Sequence, residues 1–307
     1  MNTVAVILEA PERLALRSLA LIKPGPADVV VEIEWSGVST GTEKLLWTGR
    51  MPAFPGMGYP LVPGYESIGR IVEAGADAAG RDGEWVFVPG ANCYRDAKGL
   101  FGGTARRVVI PSARAMPIPE SLGRDGTLLA LAATAHHAVA KGAPDLVMGH
   151  GILGRLIARV AIASGHRAPT VWEPNETRRG GAGYAVIDPE ADERRNYVRI
   201  CDASGALDVL DLAIPRLVKG GEVVLAGFYD RLAFAFPPAF MREASIRIAA
   251  EFTPADVTAV TALIRAGALR LDGLISHIRD AAHAADAYPA AFADAECLKM
   301  VLDWRQM

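Results

Sequence analysis

The sequence predicts an α/β fold, with a doubly wound parallel sheet joined to a second, β-rich domain. Three observations carry this expectation. A Gly-x-Gly-x-x-Gly turn, residues Gly149 to Gly154, closes a short apolar run. Residues 119–252 alternate strand-like and helix-like segments, as crossover connections of a parallel sheet require. Residues 1–118 hold short β-branched runs set off by Pro- and Gly-containing turns. At 307 residues the chain is about twice an ordinary domain, so two cores are expected. Their boundaries are placed at 119–252 for the doubly wound sheet and at 1–118 with 253–307 for the other domain.

Taken in order, Val4–Leu8, Val29–Trp35, Ile68–Glu73, Glu84–Val88 and Arg107–Ile110 read as strands of the first domain. Leu146–Met148 is a short apolar strand ahead of the glycine turn. Ile152–Ser164 is a helix, with Ile152, Leu156, Val160 and Ala163 on one face. Thr170–Trp172, Tyr184–Ile187, Val198–Ala203, Glu222–Phe228 and Ser245–Glu251 are further strands. Leu207–Lys219 reads as a helix that Pro215 kinks or breaks, with Gly220-Gly221 as its stop signal. After Thr253 come two helical stretches and a strand, Leu298–Leu302, packing back on the first domain.

The glycine turn fixes a ligand class. Gly149 permits the tight turn, Gly151 lets the backbone approach a pyrophosphate, and Gly154 lets the helix pack close, its N-terminus toward the phosphates. His150, Ile152 and Leu153 complete the cofactor segment. Glu173 follows a second strand, 24 residues past Gly149, near the spacing expected for the acid that binds the adenosine ribose. Its charge would repel a 2′-phosphate, which favours NAD over NADP. Arg178 and Arg179 leave two alternatives: cover over the adenine, or a grip on a 2′-phosphate. His150 is read as a side chain tolerated near the pyrophosphate.

The composition is that of a soluble enzyme, 51% hydrophobic and 22% charged. The net charge of −3 and the lack of a basic run disfavour nucleic-acid binding. No transmembrane segment or signal peptide is read, and a cytoplasmic location is expected. Cys93, Cys201 and Cys297 are too far apart in sequence for a zinc lobe or a disulfide framework.

Several segments together resemble the medium-chain dehydrogenase/reductase family over essentially the whole chain. They are Ser36-Gly37-Val38-Ser39-Thr40-Gly41-Thr42-Glu43, Pro63-Gly64-Tyr65-Glu66-Ser67-Ile68-Gly69 with its following strand to Gly75, Thr134-Ala135-His136-His137-Ala138, and the glycine turn. The resemblance implies a Rossmann domain plus a β-rich GroES-like catalytic and substrate domain, often in a homo-oligomer. Zinc-dependent members carry a Cys, a His and a third ligand. The matching positions here are Ser39, Tyr65 and the apolar stretch 128–133, and the structural zinc lobe is also missing. Hydroxyl and phenol groups are poor zinc ligands, so no metal is expected. Segments 36–52, 55–66 and 90–94 resemble the branch of this family that oxidises the 3-(1-hydroxyethyl) group of a bacteriochlorophyllide to acetyl.

On that resemblance, oxidation of a secondary alcohol without zinc needs a side-chain base or relay. Tyr65 is expected to hydrogen-bond the substrate oxygen. Ser39 and Thr42 would form a hydroxyl relay, and Glu66 would orient it or act as its base. Glu43 and His137 are supporting candidates. The alternative is that Ser39 and Tyr65 only fill a vacated metal site while Glu66 pairs structurally with an arginine. For the substrate, Trp47, Arg50, Phe54 and Tyr59 lie in an apolar, aromatic loop suited to a large flat ligand, with Arg50 meeting a propionate. The alternative is that this loop packs on the core or on a second subunit. Two other functions remain open: a zinc-free NADPH-dependent quinone or enone reductase, and a non-catalytic NAD-binding sensor.

Overall fold

The computed structural model describes residues 1–52, 55–180 and 183–307. The chain divides into two compact units, Met1–Ala130 with Leu271–Met307, and Leu131–Arg270. Both boundaries lie later than the sequence placed them. The 3-10 segment Glu120–Leu128 packs on the strands of the first unit. The helix Pro254–Arg265 is tied by Asp256 to His136 and His137 of the second.

The first unit is built on two sheets. In the smaller one, Asn2–Ala10 pairs antiparallel with Arg13–Ala20 and touches Leu61–Val62, which pairs with Lys98–Gly99. The larger sheet is centred on the long strand Asp28–Val38. On one side it pairs with Met300–Asp303, which in turn pairs with His277–Asp280. On the other side it pairs with Ser67–Ala74, and Arg107–Pro111 also joins it. Val29, Val30, Val31 and Ile33 are fully buried against Ile71, Val86 and Ile110. A two-sided apolar run of this kind suits a central strand.

The second unit holds a six-stranded parallel sheet. Its strands in spatial order are Val186–Ile187, Thr170–Trp172, Leu146–Met148, Tyr197–Asp202, Leu217–Leu225 and Ser245–Ile248. Counted along the chain this is 3-2-1-4-5-6, the Rossmann order, with its switch point between Leu146–Met148 and Tyr197–Asp202.

One expected element changes. The helix after Leu207 is only Val209–Ala213, followed by the 3-10 turn Ile214–Arg216, so Pro215 does break it. Gly220-Gly221 is not a helix stop. Both residues lie inside the strand Leu217–Leu225, where the pairing register slips between Leu217 and Glu222. Gly220, at φ +76°, absorbs that bulge.

Candidate active site

In the first unit, the strand Asp28–Val38 runs into Ser39 and then the short helix Thr42–Trp47. Tyr65 reaches this turn from the segment ahead of the strand Ser67–Ala74 and donates its hydroxyl to Ser39 Oγ at 2.8 Å. The Thr42 hydroxyl lies close enough to the phenol to favour its ionised form. Ser39, Thr42 and Tyr65 are therefore brought together. Burial, then the Glu66 charge, pushes the phenol above its ordinary range, so Tyr65 is a neutral donor.

Glu66 is fully buried and forms an ion pair with Lys299 Nζ, itself 1% exposed. Its partner is thus a lysine rather than an arginine. Among the described residues, Glu66 Oε1 has no hydrogen-bond partner. Burial pushes this carboxyl up and Lys299 pulls it back. The pair fits only because residue 37 is glycine, since a Cβ there would overlap Glu66 Oε2.

Glu43 folds back from the helix's first turn. It accepts the Ser39 backbone N–H at 3.1 Å and the Tyr288 hydroxyl at 2.7 Å, all fully buried. Burial pushes its carboxyl up to about 7, opposed by the Tyr288 hydrogen bond and reinforced by the Glu66 charge. Two buried carboxyls thus share the neighbourhood of one buried ammonium. Lys299 and Tyr288 were not legible as site residues. Both lie more than 230 residues from their partners, and only a lysine inside the apolar run Leu298–Leu302 hints at a buried charge.

The substrate-loop candidates are placed differently. Trp47 and Tyr59 pack on a small cluster of Leu8, Leu46, Leu61 and Leu100, and Trp47 also faces Phe292 at 6.5 Å. The Tyr59 hydroxyl donates to the Leu46 carbonyl. Arg50 is exposed, with Nε 3.4 Å from Thr48 Oγ1. Phe54 lies outside the described residues.

In the second unit, Gly149 takes φ +98° straight after its strand. A Cβ at Gly154 would overlap the Gly149 carbonyl oxygen, so the helix Ile152–Ala163 sits directly on the turn. At Gly151 a Cβ would meet nothing within 4 Å, which leaves that backbone open to a ligand. Ile152 and Leu153 form the first turn of the helix, partly exposed.

Glu173 is buried at the end of the strand Thr170–Trp172. Its carboxylate accepts the His150 N–H at 3.3 Å and the Asn175 N–H at 2.9 Å. His150 is a fully buried stitch rather than a tolerated bystander. Its Nδ1 faces the Arg178 carbonyl at 2.7 Å, which requires the hydrogen there, and Nε2 accepts from Tyr184 at 3.1 Å. Burial holds the imidazole below its ordinary pKa, hence neutral. The Arg178 carbonyl also accepts from Arg155 at 3.0 Å. Arg179 is engaged by the Glu173 and Pro174 carbonyls and by Asp188. His136 and His137 both bond Asp256, at 2.7 and 3.1 Å, and Asp256 caps the helix Pro254–Arg265 as well.

Residues 25–120 match the family described as "Alcohol dehydrogenase GroES-like domain". The chain is 55% identical to a "2-desacetyl-2-hydroxyethyl bacteriochlorophyllide A dehydrogenase" of Rhodobacter capsulatus, covering 99% of both chains. It is 56% identical to a protein of the same description from Cereibacter sphaeroides, again over 99% of both. Among solved structures, an alcohol dehydrogenase from E. coli CFT073 complexed with NADH superposes with a TM-score of 0.84. It shares 22% identity and 99% coverage of each chain.

Proposed function

The chain belongs to the medium-chain dehydrogenase/reductase family and is an oxidoreductase acting on a CH–OH donor, and from that premise we propose a specific reaction. It oxidises the 3-(1-hydroxyethyl) group of a bacteriochlorophyllide to 3-acetyl, in bacteriochlorophyll synthesis, with NAD as cofactor and without zinc. The observation that carries this reading is the 55–56% identity, over 99% of the chain, to two bacteriochlorophyllide dehydrogenases.

The glycine turn and Glu173 fit a nicotinamide dinucleotide. Gly149, Gly151 and Gly154 bring backbone N–H groups and a helix N-terminus to the pyrophosphate, flanked by His150, Ile152 and Leu153. Glu173 takes the adenosine ribose, with Arg178 beside it. The bound cofactor supplies an acceptor for hydride. NAD is favoured over NADP because a fixed carboxylate stands at the ribose position, and Arg179 is already held by Asp188 and two carbonyls.

On the substrate side, Tyr65 hydrogen-bonds the alcohol oxygen, and the Ser39 and Thr42 hydroxyls orient the phenol. Proton handling of this kind is typically worth about 10² to 10⁴ in rate. The residues do not suit a catalytic zinc. Ser39 and a high-pKa Tyr65 are poor ligands, and Glu66 is taken up by Lys299. Among the described residues, no three His, Cys, Asp or Glu side chains are grouped to hold a metal. Trp47 and Tyr59 are assigned to the macrocycle, and Arg50 to its propionate; Phe54 is assigned the same role from sequence alone.

The test is an absorbance assay. Chelator-treated protein is mixed with the hydroxyethyl bacteriochlorophyllide and NAD or NADP, and the long-wavelength band is followed as the conjugated acetyl group forms. A shift with NAD alone is expected. A shift with NADP only overturns the cofactor assignment, and a shift only after zinc is added overturns zinc independence. NAD binding without turnover of any alcohol or ketone would instead favour the sensor, and NADPH-driven quinone or enone reduction the reductase.

A further inference from the structure

We propose that Glu43 takes the proton released by the substrate hydroxyl, passed along Tyr65 and Ser39, and thereby sets the pH dependence of turnover. This rests on the dehydrogenase reading above. In the balanced step, the alcohol C–H bond breaks and its electron pair and hydrogen go to the oxidised nicotinamide. The O–H bond breaks as the C=O bond forms. The proton moves to Tyr65 Oη, the Tyr65 proton to Ser39 Oγ, and the Ser39 hydroxyl proton, once that hydroxyl turns toward the carboxylate that already holds the Ser39 N–H, to Glu43.

Three observations single out Glu43. Tyr65 already donates to Ser39 at 2.8 Å, so the direction of the second transfer is built in. The Glu43 carboxylate lies against that same serine, accepting its N–H at 3.1 Å. Glu66 is paired with Lys299, whereas among the described residues Glu43 accepts hydrogen bonds from the Tyr288 hydroxyl and the Ser39 N–H. The titratable and charged groups facing Glu43 are Tyr65 and Glu66 ahead of the strand Ser67–Ala74, Tyr288 from the helix Ala284–Ala293, and Lys299 ahead of the strand Met300–Asp303. Of these, Tyr65 and Tyr288 are both pushed further from neutrality, so neither titrates near it. Glu43, raised to about 7, sits where a proton acceptor works best.

The experiment measures kcat for alcohol oxidation against pH in the full-length wild type, Glu43→Gln, Glu43→Asp and Tyr288→Phe. Wild-type kcat should rise with pH through an inflection near 7. Glu43→Gln should lose the inflection and about 10²-fold in kcat, with KM little changed. Glu43→Asp should restore an inflection. Tyr288→Phe removes a hydrogen bond to the carboxylate and should move the inflection up. An unchanged inflection in Glu43→Gln overturns the proposal. If that variant does not fold, an unchanged inflection in Tyr288→Phe overturns it instead. If the wild type turns over no substrate, the substrate assignment has failed, and infrared difference spectra decide the proton site. A protonated-carboxyl band that titrates near neutral pH in wild type, is lost in Glu43→Gln and titrates at higher pH in Tyr288→Phe supports it, and no such band overturns it.

Discussion

Lys299 and Glu66 form an ion pair with side-chain exposures of 1% and 0%, joining positions 233 residues apart. Removing one partner of a buried pair leaves the other charge in a low-dielectric interior. Lys299→Met should therefore cost about 3–5 kcal/mol in urea unfolding. Adding Glu66→Gln should recover most of that loss, because a neutral amide does not need a counter-ion. A double variant no more stable than Lys299→Met alone would contradict the pairing.

Glu43 makes stability fall as pH rises. Its ordinary carboxyl value is 4.5 and its folded value about 7. Between the two, the folded state holds a proton that the unfolded state has released, so ΔG of unfolding decreases across that window. At about 1.4 kcal/mol per unit, the contribution is roughly 3 kcal/mol at most. Glu43→Gln should flatten this segment of the stability–pH curve, measured by denaturant midpoints from pH 4.5 to 7.

Tyr65→Phe keeps the ring that meets Phe101 at 5.1 Å but removes the hydroxyl that reaches Ser39. Its kcat for alcohol oxidation should drop about 10²-fold while thermal unfolding changes little. Thr42→Val should act in the same direction. Near wild-type turnover in both variants would mean that the hydroxyls only fill space.

Glu173→Ala removes the carboxylate fixed by the His150 and Asn175 N–H groups. The ratio of kcat/KM for NADP to that for NAD should rise about tenfold or more, equivalent to ~1.4 kcal/mol. An unchanged ratio would place the discrimination elsewhere.

Much of this was visible in one dimension. The glycine turn announced itself because Gly149, Gly151 and Gly154 act within six residues, and Glu173 follows at the spacing of one βαβ unit. Ser39 and Tyr65 were found because they stand where a resemblance led the eye to expect metal ligands. Local pattern failed where distant chain segments meet. Nothing near Glu66 announces Lys299, and nothing near Glu43 announces Tyr288. Gly220-Gly221 misled for the opposite reason, since two glycines look the same as a helix stop and as a bulge within a strand. The aromatic loop was ambiguous because Trp47 and Tyr59 serve packing as readily as ligand contact.

The division of the chain has a consequence for biosynthesis. The unit carrying Tyr65 and Glu66 is closed by residues 271–307, which supply Lys299 and the strand Met300–Asp303 beside Asp28–Val38. The nucleotide-binding unit is an uninterrupted stretch, Leu131–Arg270. On the ribosome the second unit is therefore complete in sequence before the first, reversing the usual N-to-C order of domain folding. Until Lys299 emerges, Glu66 has no cation to meet, and the nascent first unit must wait with its central strand lacking one neighbour.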